Sequence, residues 1–143
     1  MANNNQPIQN TIDQGRASHA YTCVYNFVQT HSNKDTRSEY KSYSKKLPMM
    51  IKNSGLGAAM AFTLSKSKEH HKAVLDDIIS WLCQSMITKD FFINLKKLSD
   101  KYDQADFVKK IINFNSNEYR VITNEVIAYM TWHRRFTEGL ITK

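Results

Sequence analysis

The stretch from Leu47 to Phe62, L-P-M-M-I-K-N-S-G-L-G-A-A-M-A-F, constrains the fold more than any other part of the chain. It holds one of the two prolines and two of the four glycines of the sequence, then runs into small and apolar residues. Upstream, Tyr40, Tyr43, Leu47, Met50 and Ile51 fall at i, i+3, i+7, i+10 and i+11, the spacing of one helix face. Pro48 sits inside that pattern. It lacks a backbone donor and its ring crowds the carbonyl of Ser44, so a kink or a break into two helices is expected there. Gly55 follows as a helix terminator. Leu56, Ala58, Ala59, Met60, Ala61, Phe62 and Leu64 are then apolar nearly all round, as expected of a central buried helix from Leu56 to about Ser65.

The remaining segments read as helices that cover this one. A first helix is predicted from about Thr11 to His31, with Ala17, Ala20, Val24, Phe27 and Val28 as its stripe. Asp35 or Thr36 is the expected N-cap of the second, which ends near Asn53. A fourth helix spans about Lys68 to Ile87, with Leu75, Ile78, Ile79, Leu82 and Met86 inward and Trp81 off that face. A fifth is expected from Asp90 to about Ser99, capped by Thr88 or Asp90, with Phe91, Phe92, Leu95 and Leu98 inward. A short one follows over 104–113 with Phe107, Val108, Ile111 and Ile112. The last begins at Asn115, whose partner Glu118 three residues on resembles a capping box. Tyr119, Ile122, Val126, Tyr129, Met130 and His133 form its face, and it ends near Gly139. No segment alternates strictly and no hairpin dipeptide is present. The expectation is an all-α protein: a compact single-domain bundle of six or seven helices around a central apolar helix. The domain spans residues 11–143, behind a disordered, polar, Asn-rich tail at residues 1–10.

At 143 residues and 41% hydrophobic content the chain can bury one core. No apolar run approaches the roughly 20 residues that span a bilayer, and the N-terminus has no signal-peptide pattern, so a cytoplasmic protein with no membrane partner is expected. Cys23 and Cys83 then read as reduced thiols. The net charge of +7 is unevenly placed. Residues 34–72 hold nine Lys/Arg against three Asp/Glu, while the segments before and after are nearly neutral. A basic field gathered in one block favours polyanions, nucleic acid first.

Within that block Lys41, Lys45 and Lys52 lie at i, i+4 and i+11 and project within about 40° of one another on a helix. Lys46 flanks them, and Lys34 joins the line if the helix starts early. Such a row can track a phosphate backbone, though a solvated helix face has the same spacing. A second basic spot is Trp132-His133-Arg134-Arg135-Phe136. There the arginines can clamp phosphate and Trp132 can stack, or Arg134 can simply pair with Glu138. The histidines and cysteines give no metal motif: His19 and Cys23 are i and i+4, and His70-His71 diverge by about 100°. Asp76-Asp77 read as surface charges. Gly55 and Gly57 lack the rest of a dinucleotide or phosphate loop. No catalytic residues, no cofactor and no metal are predicted.

The run from Tyr40 to Lys46 followed by Leu47–Phe62 resembles the signature of the Cmr small subunit family. These are the small all-helical subunits of type III-B CRISPR RNA-guided effector complexes. Ile127–Phe136, I-A-Y-M-T-W-H-R-R-F, is similar to the family's aromatic-basic C-terminal motif. The likeness covers residues 11–140. Ala58 and Thr63 depart from it, standing where a longer polar and an apolar residue are expected. The resemblance implies a non-catalytic subunit that forms the minor filament beside the backbone subunits. Its implied partners are the backbone and large subunits, neighbouring copies of itself, and the guide and target RNA. In that reading Lys41, Lys45, Lys46, Lys52, Arg134 and Arg135 are the candidate RNA-facing residues, while pairing reads the sequence. Two alternatives are a helical DNA-binding regulator using the Gly55 turn, and a small RNase using His70, His71 or His133.

Overall fold

The computed structural model describes residues 8–95 and 103–142. Six α-helices lie in the described residues: α1 (Ile8–Thr30), α2 (Lys34–Ser54), α3 (Leu56–Ser65), α4 (Glu69–Gln84), α5 (Gln104–Ile112) and α6 (Ser116–Leu140). A 3₁₀ helix, Lys89–Leu95, follows α4. The expected all-α architecture is therefore present. The disorder expected for the first seven residues lies outside the described part, and α1 begins at Ile8, inside the expected tail.

The helix starts follow from side-chain caps. Asn33 Oδ1 accepts from Asp35 N at 2.8 Å and from Thr36 N at 3.2 Å. The cap of α2 is thus Asn33 and not Asp35 or Thr36, because the earlier Asx side chain reaches two orphan amides at once. Lys34 consequently becomes the first residue of α2. Asp103 caps α5 through Ala105 N at 2.9 Å, and Asn115 caps α6 through Glu118 N at 2.9 Å, as its sequence signature predicts.

Pro48 does not split α2, which is a continuous helix of 21 residues. An interior proline costs about 3 kcal/mol. Against that, α2 buries Tyr40, Tyr43, Leu47 and Ile51 completely or nearly so. Each such side chain contributes about 1.5–3 kcal/mol. The break comes at Gly55, with φ +90° and ψ 158°, where its N–H still reaches Ile51 O at 2.8 Å. That backbone suits glycine and strains any L side chain. Gly57 is required for a different reason. A Cβ there would stand 3.0 Å from Ile112 Cγ2 and 3.2 Å from the Tyr119 hydroxyl. Instead the Gly57 N–H donates to Tyr119 Oη at 2.6 Å, pinning α3 to α6.

The core runs between α2, α4 and α6. It contains Leu47 and Ile51, then Ile78, Ile79 and Leu82, then Ile122, Val126 and Met130. α1 covers the side of α6 and α4, with Ala20, Val24 and Phe27 buried. α3 packs on α2, α4 and α5. It is apolar all round, as its sequence predicts, yet it buries only one face: Leu56, Gly57, Ala59, Met60 and Thr63. Ala58, Ala61, Phe62 and Leu64 are exposed, because nothing in the described chain covers that side. Thr63, where the family pattern expects an apolar residue, is buried with its hydroxyl donating to Ala59 O at 2.8 Å and bonded to the Tyr43 hydroxyl.

Other expectations are corrected by neighbours the sequence did not reveal. Trp81 is buried, not outward: α1 covers that side of α4, and the indole stacks on Tyr129 with centroids 5.6 Å apart. Met86 is exposed because α4 stops at Gln84 and the chain turns at Ser85. The turn proceeds by three-residue steps, Thr88 N to Ser85 O and Phe91 N to Thr88 O. This gives a 3₁₀ helix where an α-helix was expected. Phe92 is buried there and Phe91 half-buried. The side chain of Leu95, Leu98 and the rest of that predicted helix lie outside the described residues. Ile112, expected inward, ends α5 with its side chain more exposed than buried.

Candidate nucleic-acid interface

The buried polar groups decide which side chains are left for a partner. His133 is fully buried. Its Nε2 lies 2.8 Å from Asp77 Oδ2, and its Nδ1 lies 2.7 Å from Ser44 Oγ. The Tyr40 hydroxyl donates to the same Asp77 oxygen at 2.5 Å. With its proton on Nε2, the imidazole donates to the carboxylate and accepts from the serine hydroxyl, so both nitrogens are satisfied. This corrects the surface reading of Asp77. Adjacent carboxylates do not face each other, but Asp77 faces α2 and α6, while Asp76 accepts from Gln104 Nε2 at 2.6 Å.

A second cluster centres on Glu125. Glu125 is almost fully buried and takes Arg16 Nε at 2.7 Å and Nη2 at 2.9 Å, a forked pair. Trp81 Nε1 donates to the same carboxylate at 2.9 Å. The hydrogen bonds from Glu125 hold the Arg16 pKa above its usual value. Glu125 lies three residues after Ile122 and four before Tyr129, so its place on the buried face was available from spacing alone.

His19 bridges Tyr129 Oη at 2.9 Å and Ser80 Oγ at 3.0 Å. Its Nδ1 is 3.6 Å from Cys23 Sγ, but among the described residues no three His, Cys, Asp or Glu side chains converge as metal ligands. Burial lowers the His19 pKa and raises that of the Cys23 thiol, which makes Cys23 an inert packing thiol. His70 and His71 do meet, against the 100° expectation: their ring centroids are 3.9 Å apart, because the side chains lean together beyond the backbone.

The predicted lysines separate into three situations. Lys45 and Lys52 are exposed on one line of α2, and the early start of the helix adds Lys34 to that line. None of these three forms an ion pair among the described residues. Lys41, on the same line, is half-buried and donates to Ile141 O at 3.3 Å, tying α2 to the end of α6. Lys46 points about 100° away from Lys45 and lines a cleft between α2 and the α3–α4 connection. Arg37, another cation of the basic block, is consumed internally: its guanidinium donates to His31 O and Val28 O at the end of α1.

The arginines of α6 lie apart from this row. Arg134 pairs with Glu138 at 3.1 Å, both exposed, which is the arrangement its spacing allowed. Arg135 stands over the Trp132 ring, 5.6 Å from its centroid. Trp132 Nε1 donates to Asp13 Oδ1 at 2.9 Å, so the indole belongs to the α1–α6 seam. Phe136, Tyr21 and Tyr25 continue the aromatic surface beside it.

The family model described as CRISPR-associated protein (Cas_Cmr5) matches residues 12–140. The chain belongs to the Cmr5 family. Over 118 residues it is 31% identical to the CRISPR system Cmr subunit Cmr5 of Thermus thermophilus, covering 82% of this chain and 89% of that protein. The crystal structure of a Cmr5 family protein from the same species superposes with a TM-score of 0.63 at 26% identity, covering 92% of this chain and 97% of that one. The Cmr5 fold thus accounts for the helical architecture, as the resemblance read from the two motifs implied. No helix among the described residues is long and apolar enough to cross a membrane.

Proposed function

We propose that the chain is the small, non-catalytic subunit of a cytoplasmic type III-B Cmr effector complex. It forms the minor filament and lays its α2 lysine row along the guide and target RNA backbone. Its partners in that assembly are the backbone and large subunits and neighbouring copies of itself. The observation that carries this reading is the exposed, acid-free line of Lys34, Lys45 and Lys52 on a rigid helix of a Cmr5 family member. Lysines on such a line act as point charges toward phosphates and read no bases. Lys41 contributes less, since its ammonium is already held by Ile141 O. Lys46, Arg134 and Arg135 extend the cationic surface from separate positions.

His133 has a structural role. His133 has no solvent exposure and both ring nitrogens are engaged, so it has no access to an RNA ribose. A DNA-reading helix after the Gly55 turn is disfavoured by α3 itself, whose outer face carries Ala58, Ala61, Phe62 and Leu64 and no Arg, Asn or Gln.

The test is RNA binding by the isolated chain, followed by fluorescence anisotropy with a mixed-sequence single strand at low salt. Lys45→Glu with Lys52→Glu is expected to weaken binding at least tenfold while far-ultraviolet circular dichroism stays unchanged. Equal affinities for the two proteins would remove the α2 row from the interface.

A further inference from the structure

The cleft that Lys46 lines has a composition the family reading does not use. It lies between α2, the last turn of α3, the Lys66-Ser67-Lys68 connection and the first turn of α4, with a volume of about 650 Å³. That is within the roughly 300–1,000 Å³ typical of small-molecule sites. Three ammonium groups, those of Lys46, Lys66 and Lys68, border it, against the single carboxylate of Glu39. Glu39 is already occupied: its Oε2 lies 2.9 Å from His70 Nδ1. The cations have no such partner among the described residues, so the lining presents an excess of positive charge.

The cleft also offers rings. Phe62 is 43% exposed, and Lys66 Nζ rests over its face, 4.7 Å from the centroid. A flat ligand sliding onto Phe62 displaces that ammonium from the ring and frees it for an anion. Also in the lining, the His71 ring stands edge-on to Tyr43 at 4.5 Å and close against His70. His71 Nδ1 is shielded from solvent and has no hydrogen-bond partner among the described residues. That nitrogen is out of reach of groups entering from solvent, so the contacts the cleft offers a ligand are the ammonium groups and the Phe62 ring. Burial lowers the pKa of both histidines, with Lys66 and Lys68 adding to the effect at His71 and Glu39 opposing it at both.

We infer that this cleft is a nucleotide site: it takes one phosphate-bearing nucleoside unit, with the phosphate among Lys46, Lys66 and Lys68 and the base against Phe62. The unit can belong to a single strand or to a free mononucleotide, since both present the same phosphate and base. The site is separate from the Lys34–Lys45–Lys52 line, because Lys46 projects about 100° from Lys45. It therefore stands or falls independently of the α2 row.

The experiment follows the imidazole resonances of His70 and His71 by NMR in the full chain. The probes are uridine 5′-monophosphate, inorganic phosphate and a short oligouridine. The expected result is saturable shifts at both histidines with the nucleotide, and weaker binding of inorganic phosphate. An upward move of the His71 titration midpoint is also expected, because a bound anion favours the imidazolium. Lys66→Glu with Lys68→Glu should reduce nucleotide affinity at least tenfold; Lys66→Gln with Lys68→Gln serves if the reversed pair perturbs folding. Phe62→Ala should weaken the nucleotide and leave inorganic phosphate unchanged. Lys45→Glu with Lys52→Glu should leave mononucleotide binding intact even where it weakens oligonucleotide binding. Shifts at lower concentration with oligouridine than with the monophosphate would assign the site to a strand, and the reverse order to a free nucleotide; either order supports the inference. Absence of saturable shifts at His70 and His71 with every probe, or shifts insensitive to the Lys66 and Lys68 changes, would overturn it.

Discussion

In the seam between α1, α4 and α6, Arg16, His19, Asp77, Glu125 and His133 each meet polar partners within 3.0 Å. On the outer line of α2, Lys34, Lys45 and Lys52 meet no acid among the described residues. Both regions are built from residue types that occur in active sites and in nucleic-acid interfaces. The difference lies in what remains unsatisfied. In the seam the named donors have internal acceptors and the groups are mostly buried, so they fix the helix register. On α2 the ammonium groups are held at helical spacing by a buried opposite face, Tyr40, Tyr43, Leu47 and Ile51, and their charge is left for something outside the molecule.

That contrast makes the largest effect a seam substitution. Glu125→Ala removes the forked acceptor of the Arg16 guanidinium, which keeps only Asp13 at 3.3 Å, and the acceptor of the Trp81 N–H. Removing one partner of a buried pair costs about 3–5 kcal/mol, so chemical denaturation should show a loss of that order. The double change Glu125→Leu with Arg16→Met should cost less than Glu125→Leu alone, because the stranded charge is then gone. A smaller loss, about 1–3 kcal/mol, is expected for His133→Ala, which strips Ser44 and Asp77 of their shared partner.

Acidification should act on the seam through His19 and on the α4 cleft through His70 and His71. His19, His70 and His71 have pKa values lowered by burial, so the folded protein resists protonation that the unfolded chain accepts below about pH 6.5. Their contribution to stability is therefore complete at higher pH and is lost as pH falls from about 6.5 through the lowered folded values. Thermal denaturation between about pH 7.5 and about pH 5 should show this decline, and replacing His71 by Gln should flatten it in part. The smallest effects belong to the exposed cations. Arg134→Ala, losing a solvent-exposed pair with Glu138, should change stability by no more than about 0.5 kcal/mol. A larger value would mean that the α6 end is held by more than the contacts described.

Much of this division could be read from residue spacing. The limits of α3, the cap of α6 and the apolar stripes follow from local rules, since each is settled within four or five residues. The α2 lysine row is equally local. What spacing could not supply is the neighbour. Local spacing relates Asp77 only to Asp76 beside it, whereas its partners Tyr40 and His133 are 37 and 56 residues away. Trp81 looked outward on α4 considered alone, and only the arrival of α1 buries it. Glu125 was recoverable from its position on the α6 stripe, but a charged residue on an apolar face carries no sign of which cation will meet it. By angle Lys41 falls on the row and Lys46 beside it. Only the fold shows that one is tied to the end of α6 and the other faces a cleft. The two family motifs succeeded where periodicity stopped, because the Gly55-x-Gly57 junction encodes a specific close approach, α3 against Tyr119 and Ile112.

The salt dependence of RNA binding tests the central claim most directly. Each lysine engaged on a single-stranded backbone contributes about 0.7 to the slope of log K against log salt. The wild-type chain should bind single strands of unrelated sequence alike, and Lys34→Glu, Lys45→Glu and Lys52→Glu combined should make that slope shallower by about 2. An unchanged slope in the triple variant, with its helical content intact, would contradict the account and place the phosphate contacts elsewhere on the molecule.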